Sequence, residues 1–149
     1  MDTYNMIDFN KKKGFICDMD GVIYHGNRVL PGVAEFIQWL HDEEKEYLFL
    51  TNNSGYTPRE LHQKLERMGL DVSEEHFYTS ALATAAFLRD QAPGCSVFAI
   101  GEAGLLNALY DAGITMNDVN PDYVVVGEGR SYSLDTLTKA TNLVWKGAK

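Results

Sequence analysis

Two aspartates separated by one residue, Asp18 and Asp20 in the stretch FICDMDGVIY, end an apolar run and stand just before a glycine. In an extended strand the side chains at i and i+2 share a face, so both carboxylates can look into one crevice beyond the strand's carboxyl end. In open α/β sheets that crevice is where ligands bind. Carboxylates this close repel each other, which points to a bound cation. Mg²⁺ suits the pair, because it accepts one or two carboxylates and completes its shell with water and phosphate oxygens. Gly21 lets the chain leave the strand in a conformation that other residues resist. A second polar cluster, Thr51-Asn52-Asn53-Ser54, ends a second apolar run, EYLFLT. Its hydroxyl, its amides and the backbone N–H groups of the loop can surround a phosphoryl group. One strand end thus offers a nucleophile, and the other offers neutral donors for an oxyanion.

These groups can meet only if the strands that carry them lie side by side. The run GFIC, bounded by Gly14 and Asp18, predicts a buried strand of a parallel sheet. Pro31 and Gly32 open a helix whose Val33, Phe36, Ile37 and Leu40 fall at i, i+3, i+4 and i+7. Glu46 to Thr51 is the second strand. Thr57 as N-cap, Pro58 at the first helical position and Glu60 completing T-x-x-E start the next helix, with Leu61, Leu65 and Met68 on one face and Gly69 as the stop. SALATAAFLRD predicts a further helix, closed by Pro93-Gly94. Beyond it SVFAIG, AGLLNALYDAG, DYVVVG and SLDTLTKATNLVWKG read as strand, helix, strand, helix. This alternation predicts an α/β fold with parallel strands and right-handed crossovers. Pro93-Gly94 is the expected boundary between two units, 1–93 and 94–149, and the second reads as an unfinished layer.

The 149 residues are 45% hydrophobic and 23% charged, an ordinary globular composition with enough length to bury a core. With 13 Lys+Arg against 21 Asp+Glu, the formal charge of -8 repels polyanions and argues against a nucleic-acid partner. Cys17 and Cys95 form no C-x-x-C pair, which suits a reducing compartment and makes the cytoplasm the expected location. The apolar runs are too short for a signal peptide or a membrane span, and Lys11 to Lys13 read as a solvated lead-in to the first strand. Cys17 beside Asp18 raises a thiol phosphatase, but the following loop lacks the arginine, so a small buried side chain is expected there. GEAG lacks G-x-G-x-x-G and reads as a turn with a helix start, while Asn52-Asn53-Ser54 fits N-x-S without a secretory signal. His25, His41, His62 and His76 show no metal-ligand spacing and are expected at the surface or in a flap. Trp39 and Trp145 are expected to pack on their helices. A homo-oligomer is compatible with the sequence but is not written in it.

DMDGV, with apolar residues before it, resembles the D-x-D-G-x-(T/V) signature of the haloacid dehalogenase superfamily, and LFLTNNS resembles its second motif. GNRVLPGVAEFI, FYTSALATAAFL and NPDYVVVGEGRSYS resemble its NagD-like branch, cytosolic sugar-phosphate and nucleotide phosphatases related to 4-nitrophenylphosphatases. The resemblance runs from Gly14 over nearly the whole chain. It implies a Rossmann-like parallel-sheet core, incomplete in this sequence, followed from near Ser96 by the first half of an α/β cap. It implies that Asp18 attacks the substrate phosphorus to form an aspartyl-phosphate, and that Asp20 protonates the leaving alkoxide and then activates water. Mg²⁺ would be held by the Asp18 carboxylate and the Asp20 backbone carbonyl, and Thr51, Asn52 and Asn53 would bind the phosphoryl oxygens. The implied partner is a small phosphorylated metabolite, a sugar phosphate or a nucleotide monophosphate. Tyr24 to Leu30 would form a flap over the site, with Arg130 facing substrate from the cap. The family's downstream lysine in a G-K-P context, and its acidic pair resembling G-D-x-x-x-x-D, are not found in these residues; Lys139, Lys146, Lys149 and Glu128 lack that context. The expectation is an N-terminal portion of a phosphatase, with a non-catalytic phosphate-binding or regulatory fragment as the alternative.

Overall fold

A computed structural model describes residues 8–130 and 132–149; the start of the N-terminal stretch read for targeting signals lies outside them. Strand β1 (Gly14–Asp18) leads into a small antiparallel hairpin of β2 (Tyr24–His25) and β3 (Arg28–Val29), where the flap is expected. Helix α1 (Val33–Asp42) buries Val33, Ile37 and Leu40, as the apolar spacing requires. Strand β4 (Glu46–Thr51), helix α2 (Pro58–Arg67), strand β5 (Phe77–Thr79) and helix α3 (Ser80–Gln91) follow. The order β1-β4-β5 makes one parallel sheet. Then come β6 (Ser96–Ile100), α4 (Ala103–Asp111), β7 (Thr115–Met116), β8 (Tyr123–Val126) and α5 (Leu134–Trp145). Here β6 lies between β7 and β8, again all parallel. The α/β architecture is therefore the expected one.

Each sheet has its own core. Phe49 and Met19 are fully buried with Leu40, Leu65 and Phe77 beneath the first. Val97, Leu105 and Leu109 fill the second, together with Ala81, Ala85 and Leu88 of α3.

Helix α2 begins where local chemistry dictates. Thr57 Oγ1 accepts from Glu60 N at 3.2 Å, and Glu60 Oε2 accepts from Thr57 N at 2.7 Å, so two otherwise orphan donors are satisfied reciprocally. Thr57→Ala is expected to cost about 1 kcal/mol of folding stability. Urea unfolding with an unchanged slope would register it, and an unchanged midpoint would mean that the box carries no net stability.

Several expectations need correction. Strand β1 is not buried on both faces: Gly14, Ile16 and Asp18 share an uncovered face, with Ile16 71% exposed. Strands β5 and β7, three and two residues long, were not expected, because so short a run carries no readable period. Trp145 is 90% exposed rather than packed, since α5 turns Ala140 and Leu143 inward instead. His62 and His76 are half-buried structural donors: their Nδ1 atoms donate to Val72 O at 2.8 Å and to Tyr47 O at 2.9 Å. The His76 ring also stacks on Tyr47 at 3.8 Å between centroids, and burial pushes the Tyr47 phenol up to about 12. Cys17 is half-buried against the first core, and burial raises its thiol pKa. Among the described residues no helix is long and apolar enough to cross a membrane.

Candidate active site

Alternation along the chain sets the acidic pair. Asp18 and Asp20 are exposed, while Met19 between them is completely buried, the period of an extended segment. Met19 O then accepts from Ile23 N at 2.9 Å, Gly21 adopts φ +80, and Gly21 N donates to Tyr24 O at 2.8 Å, so the chain reverses tightly after the pair. A side chain at Gly21 would be strained by that φ.

The β1/β4 register, with Asp18 opposite Leu50, sets the two strand ends side by side. Thr51 is 4% exposed, and its Oγ1 donates to Asp20 Oδ2 at 3.2 Å while accepting from Asn53 N at 3.1 Å. Asp18 Oδ1 accepts from Met19 N at 2.8 Å. Asn52 is exposed, and its backbone oxygen accepts from Ser80 Oγ at 2.7 Å. Asn53 is held by its carbonyl end: its Oδ1 accepts from Gly55 N at 2.8 Å and Tyr56 N at 3.1 Å. This Asx turn shapes the loop and leaves the Asn53 NH₂ group, not its oxygen, for a ligand.

Tyr24, the first residue of the hairpin, is buried next to the acids. Burial first, and the neighbouring Asp20 carboxylate second, push its phenol far above the usual range, so it stays a neutral donor. The Lys64 ammonium on α2 sits 3.9 Å from the Tyr24 ring centroid and 5.7 Å from that of Tyr56, a cation–π contact at the rim of the site. Arg130 lies across a groove of about 480 Å³ from Asn53 and Tyr56, shared with Glu60 and Glu102, and its backbone N donates to Glu102 Oε1 at 3.2 Å. It therefore borders the loop after β4.

Among the described residues no group of three or more His, Cys, Asp or Glu side chains converges. The oxygen donors at this strand end, the Asp18 carboxylate and the Asp20 backbone carbonyl, suit Mg²⁺, which takes one or two carboxylates and completes its shell with water and phosphate oxygens. The sequence reading gave no role to Ser80 or Lys64. Ser80 follows a strand too short to read, and a cation–π partner has no fixed spacing from its ring.

The sequence profile of the haloacid dehalogenase-like hydrolases matches residues 15–115. The dihydroxyacetone phosphatase of Corynebacterium glutamicum (strain R) is 44% identical over 135 residues, which are 91% of this chain and 49% of that protein. The ribonucleotide monophosphatase NagD of Escherichia coli (strain K12) is 45% identical over 137 residues, 92% of this chain and 54% of that protein. The solved structure of NagD from E. coli K-12 superposes with a TM-score of 0.86 at 46% identity, covering 91% of this chain and 54% of that one. A 4-nitrophenylphosphatase from Thermotoga maritima superposes with a TM-score of 0.87 at 34% identity, covering 94% and 54%. The chain spans about half the length of the curated relatives it matches. A profile match over more than half of the sequence, on a fold that superposes this well, makes the chain a member of the haloacid dehalogenase-like hydrolases.

Proposed function

We propose that this chain carries the nucleophile and the phosphate loop of a Mg²⁺-dependent phosphomonoester hydrolase acting on small sugar phosphates or nucleotide monophosphates. Residues 1–93 are read as the N-terminal part of its core and 94–149 as the first part of its cap, in a cytoplasmic setting. The single observation that carries the reading is the Thr51–Asp20 hydrogen bond at 3.2 Å, which joins the acidic strand end to the neutral one. Relatives named for dihydroxyacetone phosphatase, ribonucleotide monophosphatase and acid sugar phosphatase activity support the substrate class.

In this reading an Asp18 carboxylate oxygen bonds to phosphorus as the bond from phosphorus to the leaving oxygen breaks, and Asp20 hands its proton to that oxygen. Asp20 then takes a proton from the water that attacks the aspartyl-phosphate, releasing inorganic phosphate and restoring Asp18. Thr51 holds the Asp20 carboxylate in place, and the amides of Asn52, Asn53 and their loop receive the equatorial oxygens. Mg²⁺, held by the Asp18 carboxylate and the Asp20 backbone carbonyl, would supply the charge neutralisation that lets a carboxylate approach a phosphate dianion.

The test is phosphate release from p-nitrophenyl phosphate, dihydroxyacetone phosphate and a ribonucleoside monophosphate by the 149-residue chain. Turnover is expected in Mg²⁺, lost in EDTA and restored by added Mg²⁺. Full activity in EDTA would remove the metal from the scheme. Phosphate binding without turnover would favour the non-catalytic alternative.

A further inference from the structure

The loop after β4 does not rest on the first sheet alone. Ser54 is 7% exposed, and its Oγ accepts from Glu128 N at 2.7 Å across 74 positions of sequence. One residue on, Gly55 O accepts from Gly104 N at 3.0 Å. Glu128 follows β8 and Gly104 opens α4, so both partners come from the carboxyl end of the second sheet. The approach is close enough to exclude side chains. A Cβ on Gly104 would lie 2.5 Å from Ser54 O and 2.6 Å from Tyr56 O, and one on Gly127 would lie 2.9 Å from Ser54 Oγ. Gly127 is itself pinned, since its N donates to Ile100 O at 2.7 Å and its O accepts from the Tyr132 hydroxyl.

We infer that Ser54 is a positioning residue, which ties the phosphate loop to the second sheet through the Glu128 N–H and so lets β8 and α4 fix where Asn52 and Asn53 present their donors. The inference rests on the phosphatase reading of that loop. Donors aimed before the ligand arrives cost no reordering when it binds, whereas a loop free to wander must be ordered at the expense of affinity. Ser54, itself buried, supplies the acceptor for the Glu128 N–H. It acts on the ligand only through the loop.

Two variants act on the two bonds separately. Ser54→Ala removes the acceptor, and Gly104→Ala forces a methyl against the loop's carbonyls, so either one tests the anchor if the other fails to fold. Amide hydrogen exchange at Asn53, Gly55 and Tyr56 is measured in the full 149-residue chain, with α2 amides as the internal control. Inorganic phosphate is titrated with Mg²⁺ present. Exchange at the three loop amides should rise about tenfold while α2 is unaffected, as expected for one lost hydrogen bond, and phosphate affinity should fall several-fold. Unchanged loop exchange overturns the anchor whatever the loop binds. Faster exchange with unaltered phosphate affinity overturns the positioning role. If the unmodified chain binds no phosphate, yet exchange rises in the variants, the phosphatase reading falls while the anchor stands.

Discussion

Asp18→Asn should leave no measurable hydrolysis of p-nitrophenyl phosphate in Mg²⁺, while the variant melts at the temperature of the unmodified protein. The amide that replaces the carboxylate is a poor nucleophile and also removes one of the two negative charges that would face the cation. Folding should not suffer, because Asp18 is exposed and its recorded side-chain bond goes only to the neighbouring Met19 N. Asp20→Asn gives the contrast: loss of a general acid and base lowers the rate by about 10²–10⁴-fold without removing the attacking group. Steady-state rates for the two variants separate the roles. An Asp18→Asn protein that kept a tenth of its turnover would refute the nucleophile assignment, and an Asp20→Asn protein with an unaltered rate would refute the proton-transfer role.

The largest stability effect is expected at Phe49→Ala. Phe49 has no exposed surface, sits between Cys17 and Phe77 in the register of the first sheet, and lies 5.3 Å from the Tyr47 ring and 6.3 Å from that of Phe77. Truncation loses the transfer free energy of the ring and leaves a cavity that the flanking strands cannot collapse without breaking register, a cost of about 3–5 kcal/mol. That is a large share of the stability of any domain, about 5–15 kcal/mol. Urea unfolding followed by far-UV circular dichroism should show the midpoint falling steeply. A loss under about 1 kcal/mol, the scale of one buried methylene, would mean that the core is held elsewhere.

What could be read from the residues alone was what depends on near neighbours. Thr57 and Glu60 announce the start of α2 because a capping box closes within four residues. The shared face of Asp18 and Asp20 follows from the two-residue period of an extended chain. The approach of Thr51 to Asp20 was legible only through the expectation that their strands are adjacent, which the alternating pattern supplies. What escaped depends on distant partners. The three residues of β5 become a strand because Phe49, Leu50 and Thr51 offer them a ladder. The exposure of Ile16 depends on which face of β1 the rest of the fold covers, and the Ser54–Glu128 contact spans too much sequence for any local signal. Asn53 was assigned to the ligand because its side chain can donate; that its Oδ1 also accepts from Gly55 N and Tyr56 N follows from the turn the loop makes, not from the residue type alone.

Met19 gives the acidic pair a safeguard against misassembly. Sending two charges outward by alternation obliges the residue between them to go inward, and that residue is an oily side chain with no exposed surface. A slip of one position along β4 would exchange the faces, drive both carboxylates into hydrocarbon and strand the thioether in water. The mistaken alignment is thus heavily penalised at the two residues that would carry the proposed chemistry.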